Sequence, residues 1–376
     1  MTMRNVPMTH RRLLPAIAVG IAMLAAACSS DTTTDDAGTD PATTDTSVDD
    51  STVDSAAPED AAPDDATSDD AASDGVGPVD ITNTVLTSTA TACTDHAGTY
   101  VAEVTDVSSD TAFMGETTIT DNGDGTCTLA TNSIPNHDIS VEGQFAHQIS
   151  EVPTTYEISA TPVMNDEPSP LDFQANAVLL NGVIWEAYPA ACFGVGNSDL
   201  GREAVGCGGN QLDNPWRYNV GSNLNRFRTD AYHAHTQPTG LYHYHGSPLA
   251  LYDADCADAG PSPVIGFARD GFPVFGPCLT DESGQVRTAR SSYQLKSGIR
   301  EDIAGFTTPY AVGNVQSDEY NGQFIGDFEY IDGLGDLDEC NGMLVGDTYG
   351  YVVTDDYPYV LSCYRGNPST SFGLGR

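Results

Sequence analysis

Eight cysteines lie beyond residue 90 of this chain, at Cys93, Cys127, Cys192, Cys207, Cys256, Cys278, Cys340 and Cys363. A ninth, Cys28, closes an apolar leader. An even set of cysteines in an exported chain reads as a disulfide framework, which lets a fold stand on short strands joined by long irregular segments. Pairing each cysteine with its sequence neighbour gives 93–127, 192–207, 256–278 and 340–363, although spacing alone leaves other connectivities open. An even count also leaves no spare thiolate for a blue-copper centre or a cysteine nucleophile.

Export is read from the first residues. Arg4, Arg11 and Arg12 precede the run "LLPAIAVGIAMLAAAC", so a basic segment, a short apolar stretch and small residues follow one another as in a signal peptide. The stretch is short for a membrane-spanning helix and contains Pro15. Its "LAAAC" ending resembles the lipobox of bacterial lipoproteins. Residues 1–27 are therefore expected to be a lipoprotein signal peptide, with Cys28 carrying the lipid and holding the mature chain to a membrane outside the cytoplasm. An ordinary secretory signal is the plainer alternative, and the Arg11-Arg12 pair fits twin-arginine export poorly. From Asp31 to Asp80 the chain is Asp, Thr, Ala, Ser and Pro, with sixteen acidic residues and no Lys or Arg. Such a segment repels itself and has too little apolar surface to offset chain entropy, so residues 28–80 are expected to form a disordered tether.

The whole chain carries a formal charge of −40; without the three leader arginines and the sixteen tether acids, residues 81–376 carry −27. Lys296 is the single lysine of that body. A body this acidic is a poor candidate for binding nucleic acid or anionic lipid, and suits cations or a saline habitat. The body is rich in turns. Its apolar runs ("TYEISATPV", "NAVLLNGVIW", "PVIGFA", "FPVFG") are β-branched or aromatic, alternating or briefly continuous, and bounded by Gly, Pro, Asn and Asp. No long stretch shows helical spacing, and "SSYQLKSGIREDI" is at most a short helix or a loop. The expectation is a mainly β fold: a single disulfide-stapled β-sandwich or irregular β-barrel over 81–376. In "ITDNGDGTCTL", Asp121 and Asp124 superficially resemble a calcium loop, but a hairpin turn explains them better. Asp270-Gly271 similarly reads as a two-residue hairpin turn.

Half of the eight histidines fall within "YHAHTQPTGLYHYH", residues 232–245. Residues two apart in a strand share a face, so His243 and His245 project together, as do His233 and His235, while Tyr242 and Tyr244 point the other way. Pro238 and Gly240 suit a three-residue loop, Pro238-Thr239-Gly240, closed by a glycine in the left-handed region. That loop pairs His235 with His243 and His233 with His245, placing four imidazoles on one face with Cβ atoms of facing residues about 4.5–5.5 Å apart. A two-residue loop would shift the register and split them between faces. Neutral imidazoles without thiolate suit copper(II), zinc, nickel or iron. The plainer alternative is a hairpin whose rings stack and hydrogen-bond.

The same residues carry a family resemblance. "PTGLYHYHGSP" resembles the signature of the YHYH-domain proteins, and segments such as "NSIPNHD" (132–138), "LNGVIWE" (180–186), "IGFARDGFPVFG" (265–276) and "YIDGLGDLDECNG" (330–342) follow in the family's order over about residues 125–366. The resemblance implies an extracytoplasmic domain and supplies no reaction. It places His137, His235, His243 and His245 within family motifs. Where members carry a second histidine motif, this chain reads Tyr349-Gly350-Tyr351. The acidic stretch Asp336, Asp338 and Glu339 could furnish a carboxylate beside the histidines.

The expected site is a divalent transition metal, copper or zinc, held by His235, His243 and His245 with His137 as fourth partner. His233, Asp270 and Glu339 are further candidates. Three ligands with an open position would suit a metal-dependent hydrolase or oxidoreductase; four would suit a structural or metal-handling site. The alternative is a non-catalytic surface module that binds glycans or a protein partner, with the histidines as packing. Acid–base catalysis by His with Asp270 or Glu339 is a third reading, without a Ser or Cys nucleophile motif to support it.

Overall fold

The computed structural model describes residues 77–256 and 260–373. The expected signal peptide, the expected lipid site Cys28 and the expected tether up to residue 76 lie outside the described residues.

Five strands open the fold: β1 (Val79–Asp80), β2 (Gly98–Asp106), β3 (Thr111–Asp121), β4 (Thr126–Thr131) and β5 (Thr154–Ser159). They form one sheet in sequence order. Strands β3 to β5 alternate, burying Ile119, Leu129, Tyr156 and Ile158 on one face, which is the pattern of a sheet covered on one side. The β3–β4 turn is the hairpin expected at 121–126: Asp121 Oδ1 accepts the Gly123 N–H at 2.9 Å and Asp124 Oδ1 the Thr126 N–H at 3.0 Å. Both carboxylates are spent on their own backbone.

The short strand β6 (Ser169–Pro170) precedes β7 (Ala177–Leu179), β8 (Ile184–Trp185), β9 (Ala234–Thr236), β10 (Tyr242–Tyr244), β11 (Val264–Ala268) and β12 (Pro273–Phe275). Further on are β13 (Cys278–Thr280), β14 (Val286–Thr288), β15 (Tyr293–Leu295), β16 (Phe328–Tyr330), β17 (Gly342–Val345), β18 (Thr348–Val352) and β19 (Cys363–Tyr364). Eight of these make an open sheet in the order β17-β18-β12-β11-β7-β8-β10-β9. Its central strands β7, β8, β10, β11 and β12 are buried at every position. A strand covered on both faces must be apolar throughout, which is why "NAVLLNGVIW" and "PVIGFA" do not alternate.

Val178, Ile184, Phe267, Phe275 and Val352 of the large sheet share a cluster with Ile119, Leu129, Tyr156 and Ile158 of the five-stranded sheet. The opposite face, with Leu179, Trp185, Tyr242, Tyr244, Val274 and Tyr351, fills a second cluster. The fold is mainly β, and of the two architectures expected, the sandwich describes it. The segment "SSYQLK" is neither helix nor loop: Tyr293–Leu295 is strand β15, paired antiparallel with β16.

The disulfides are Cys93–Cys127, Cys192–Cys207, Cys256–Cys278 and Cys340–Cys363, the neighbour pairing. The β11–β12 turn departs from expectation. Ala268 N–H donates to Phe272 O at 2.9 Å and Gly271, at φ 89°, donates to Ala268 O at 2.8 Å. The loop therefore holds three residues, Arg269-Asp270-Gly271, rather than two.

Candidate metal centre

The β9–β10 hairpin is closed as the Pro-Thr-Gly loop requires. Gln237 N–H donates to Leu241 O at 3.0 Å, Gly240 N–H donates to Gln237 O at 2.9 Å, and Gly240 sits at φ 85°. Glycine is needed there twice over. The left-handed backbone disfavours other residues, and a Cβ would lie 2.9 Å from the Ser150 backbone nitrogen. The register pairs His243 with His235, Tyr242 with Thr236 and Tyr244 with Ala234. On its other edge β10 runs parallel to β8, with His243 beside Ile184 and Tyr244 beside Trp185, so the YHYH strand lies inside the sheet and both its faces are buried.

Alternation then divides the motif. On one face Tyr242 donates to Asp230 Oδ2 at 2.7 Å, and the Tyr244 hydroxyl meets His137 Nε2 at 2.7 Å and accepts from Asn181 Nδ2 at 3.1 Å. On the other face the imidazoles converge. One nitrogen from each of His235, His243 and His245 lies within 4.8 Å of the others. The Nε2 atoms of His243 and His245 are 2.9 Å apart. His245 Nδ1 meets the Glu186 carbonyl at 2.7 Å and His243 Nδ1 the Leu241 carbonyl at 3.4 Å. With each Nδ1 donating to its carbonyl, both Nε2 atoms would turn lone pairs toward the same point. His243 and His245 are 2% and 4% exposed, whereas His235 is half-buried. Burial, with a smaller contribution from His147, pushes the His235 imidazole down to about 4, so it is neutral and ready to ligate at neutral pH.

Two residues that the sequence did not single out complete the surroundings. Glu186 directly follows β8, and its Oε2 stands 4.0 Å from His243 Nε2. Gln237 Nε2 donates to Glu186 Oε1 at 2.9 Å. Gln237 was within reach of the alternation, since it lies two residues from His235 on the same face. Glu186 was not, because nothing local says that β8 pairs with β10. Beside His245, a recess bordered by Trp185, Tyr188, Asn219, Tyr357 and Tyr359 encloses about 20 Å³, room for a single water.

The remaining candidates stand elsewhere. His137 is on the tyrosine side of the strand: besides Tyr244, its Nδ1 meets Asp138 O at 2.9 Å and its ring lies 3.9 Å from that of Tyr232. It cannot reach the trio through the strand it supports. The His233 carbonyl accepts the His245 N–H at 3.0 Å, but the His233 backbone turns left-handed at φ 62° and its Nδ1 meets Ser247 O at 3.1 Å. The strand ends before this ring can join. Asp270 is buried in its loop, accepting the Tyr351 hydroxyl at 2.6 Å and the Gly366 N–H at 2.8 Å; burial pushes its carboxyl up. Glu339 faces Arg365, at 3.7 Å, not the histidines. Asp336 pairs with Arg287 at 2.7 Å, and Asp338 accepts the Tyr349 hydroxyl.

A family model described as "YHYH protein" matches residues 155–366, more than half of the chain. The chain belongs to the YHYH family. The match ends where the resemblance placed its end but begins at residue 155 instead of about 125, so "NSIPNHD" and His137 precede it. The trio, Glu186 and Gln237 all lie within the YHYH match. No curated protein and no solved structure matches the chain.

Proposed function

We propose that this YHYH protein is a lipid-anchored extracytoplasmic domain that binds one divalent transition ion, zinc or copper, through His235, His243 and His245. The convergence of three imidazoles on one face of a buried hairpin supports this reading above all else. Imidazole donors without thiolate favour these two ions over calcium or magnesium, which take oxygen. The convergence equally weighs against a glycan- or protein-binding module in which the rings are structural.

The test is metal analysis of the full chain produced without a polyhistidine tag. Wild type should carry about one equivalent of zinc or copper. The double variant His243→Ala/His245→Ala and the milder His235→Ala, at a half-buried edge position, should both carry far less. Equal metal content in wild type and His235→Ala, with the variant folded, would overturn the proposal.

A further inference from the structure

Three histidines leave open what fills the ion's next position, and the carboxylate nearest to them is fixed with unusual care. Both main-chain groups of Glu186 are tied to the YHYH strand: its N–H donates to Tyr244 O at 2.9 Å and its carbonyl accepts His245 Nδ1 at 2.7 Å. The side chain is therefore anchored at its root beside the trio. Its residue is 3% exposed. Gln237, from the opposite strand of the hairpin, holds Oε1 at 2.9 Å, which leaves Oε2 on the histidine side, 4.0 Å from His243 Nε2. Donor atoms around one tetrahedral ion stand about 3.3 Å apart, given metal–donor distances near 2 Å. Oε2 stands about 0.7 Å beyond that separation from His243 Nε2. None of the carboxylates anticipated as a fourth partner, Asp270 or Glu339, is placed to compete.

We propose that Glu186 is the fourth ligand, closing a three-histidine, one-carboxylate centre in which Gln237 positions the carboxylate. This rests on the metal reading above and sharpens it. A set of four protein donors holds the ion and leaves no position for a reacting water. The domain then carries its ion as a staple or as cargo rather than using it for hydrolysis. An oxygen donor among the imidazoles also favours a divalent ion over copper(I), which softer sulfur ligands select. Gln237 acts as the outer partner that orients a ligating carboxylate, a role whose loss weakens metal binding by roughly 10–100-fold in other centres.

Cobalt(II) titration of the untagged, chelator-treated full chain tests this, because cobalt absorbs strongly when four-coordinate and weakly when water enlarges its shell. Wild type should give the strong four-coordinate spectrum, unchanged by added azide. Glu186→Gln keeps the shape and the Gln237 contact; it should bind cobalt about 100-fold more weakly, absorb less and respond to azide. Gln237→Ala, at a half-exposed position, should weaken binding about tenfold and serves as the readout if Glu186→Gln does not fold. Equal affinity and identical spectra in wild type and both variants would overturn the role of Glu186 while leaving the three-histidine site standing. Failure of wild type to take up cobalt at all would instead overturn the metal reading beneath it.

Discussion

Acidifying the protein from pH 7.5 to pH 5 should cost wild type about 2 kcal/mol of stability that a His137→Gln variant does not lose. His137 is 1% exposed and wedged between Tyr232 and Tyr244. Burial pushes its imidazole down from 6.5 to about 4. Because the folded value lies below the unfolded one, its stabilising contribution is fully present above pH 6.5 and is lost as the pH falls toward 4. The whole window is worth about 3.4 kcal/mol, at 1.36 kcal/mol for each pH unit. By pH 5 the unfolded histidine is protonated and the folded one is not, which accounts for about 2 kcal/mol of that total. At pH 7.5 the variant itself should be less stable by about 1–3 kcal/mol, since glutamine replaces the Tyr244 contact imperfectly. The two stabilities should therefore converge on acidification. Urea midpoints of wild type and variant at half-unit steps, in chelator so that no metal contributes, measure the gap. Titration of the acidic body affects both proteins alike and drops out of the difference. A gap that stays constant from pH 7.5 to 5 would refute the assignment of His137 as a neutral, buried partner of Tyr244.

Two further outcomes test the loop and the leader. Replacing Pro238→Asn and Thr239→Gly, a pair that favours a two-residue turn, shifts the hairpin register by one without changing the chain length; metal content should fall to background, while Thr239→Ala should retain it. Retention by the double variant would show that the trio does not depend on the pairing of His235 with His243. Changing Cys28→Ala should move the chain from the detergent-rich to the aqueous phase on partition of whole cells, as expected if that residue carries the lipid; unchanged partition would remove the anchor from the proposal.

What was legible in the sequence was local. The Pro238-Thr239-Gly240 loop sets the register, and strict period-two alternation then separates Tyr242 and Tyr244 from His243 and His245. The neighbour pairing of cysteines succeeded because each pair bridges a stretch of 15 to 34 residues, short enough to meet within one region of the sandwich. What failed was long-range or depended on one residue of loop length. The parallel pairing of β8 with β10 joins residues about 60 apart and alone brings Glu186 to the trio. His137, 107 residues from Tyr244, carries no local sign of the face it serves. Asp270-Gly271 looked like a two-residue turn because the sequence does not show that Arg269 also lies outside the ladder.

The placement of His137 bears on the motif as a whole. A strand buried on both faces must satisfy every polar tip it carries, or lose the cost of desolvating it. The YHYH strand meets this on its tyrosine face with Asp230, His137 and Asn181, each drawn from a different segment. That network fixes the strand's rotation and translation, and so the direction in which His243 and His245 point. The tyrosines are then positioning residues for the histidines across the backbone. It follows that one histidine outside the trio can matter to the proposed metal binding without touching the ion. The alternation is required by the chemistry of both faces: exchanging any Tyr for His in the motif would put a shorter imidazole where a phenol is needed and draw the donor back from Asp230 or His137.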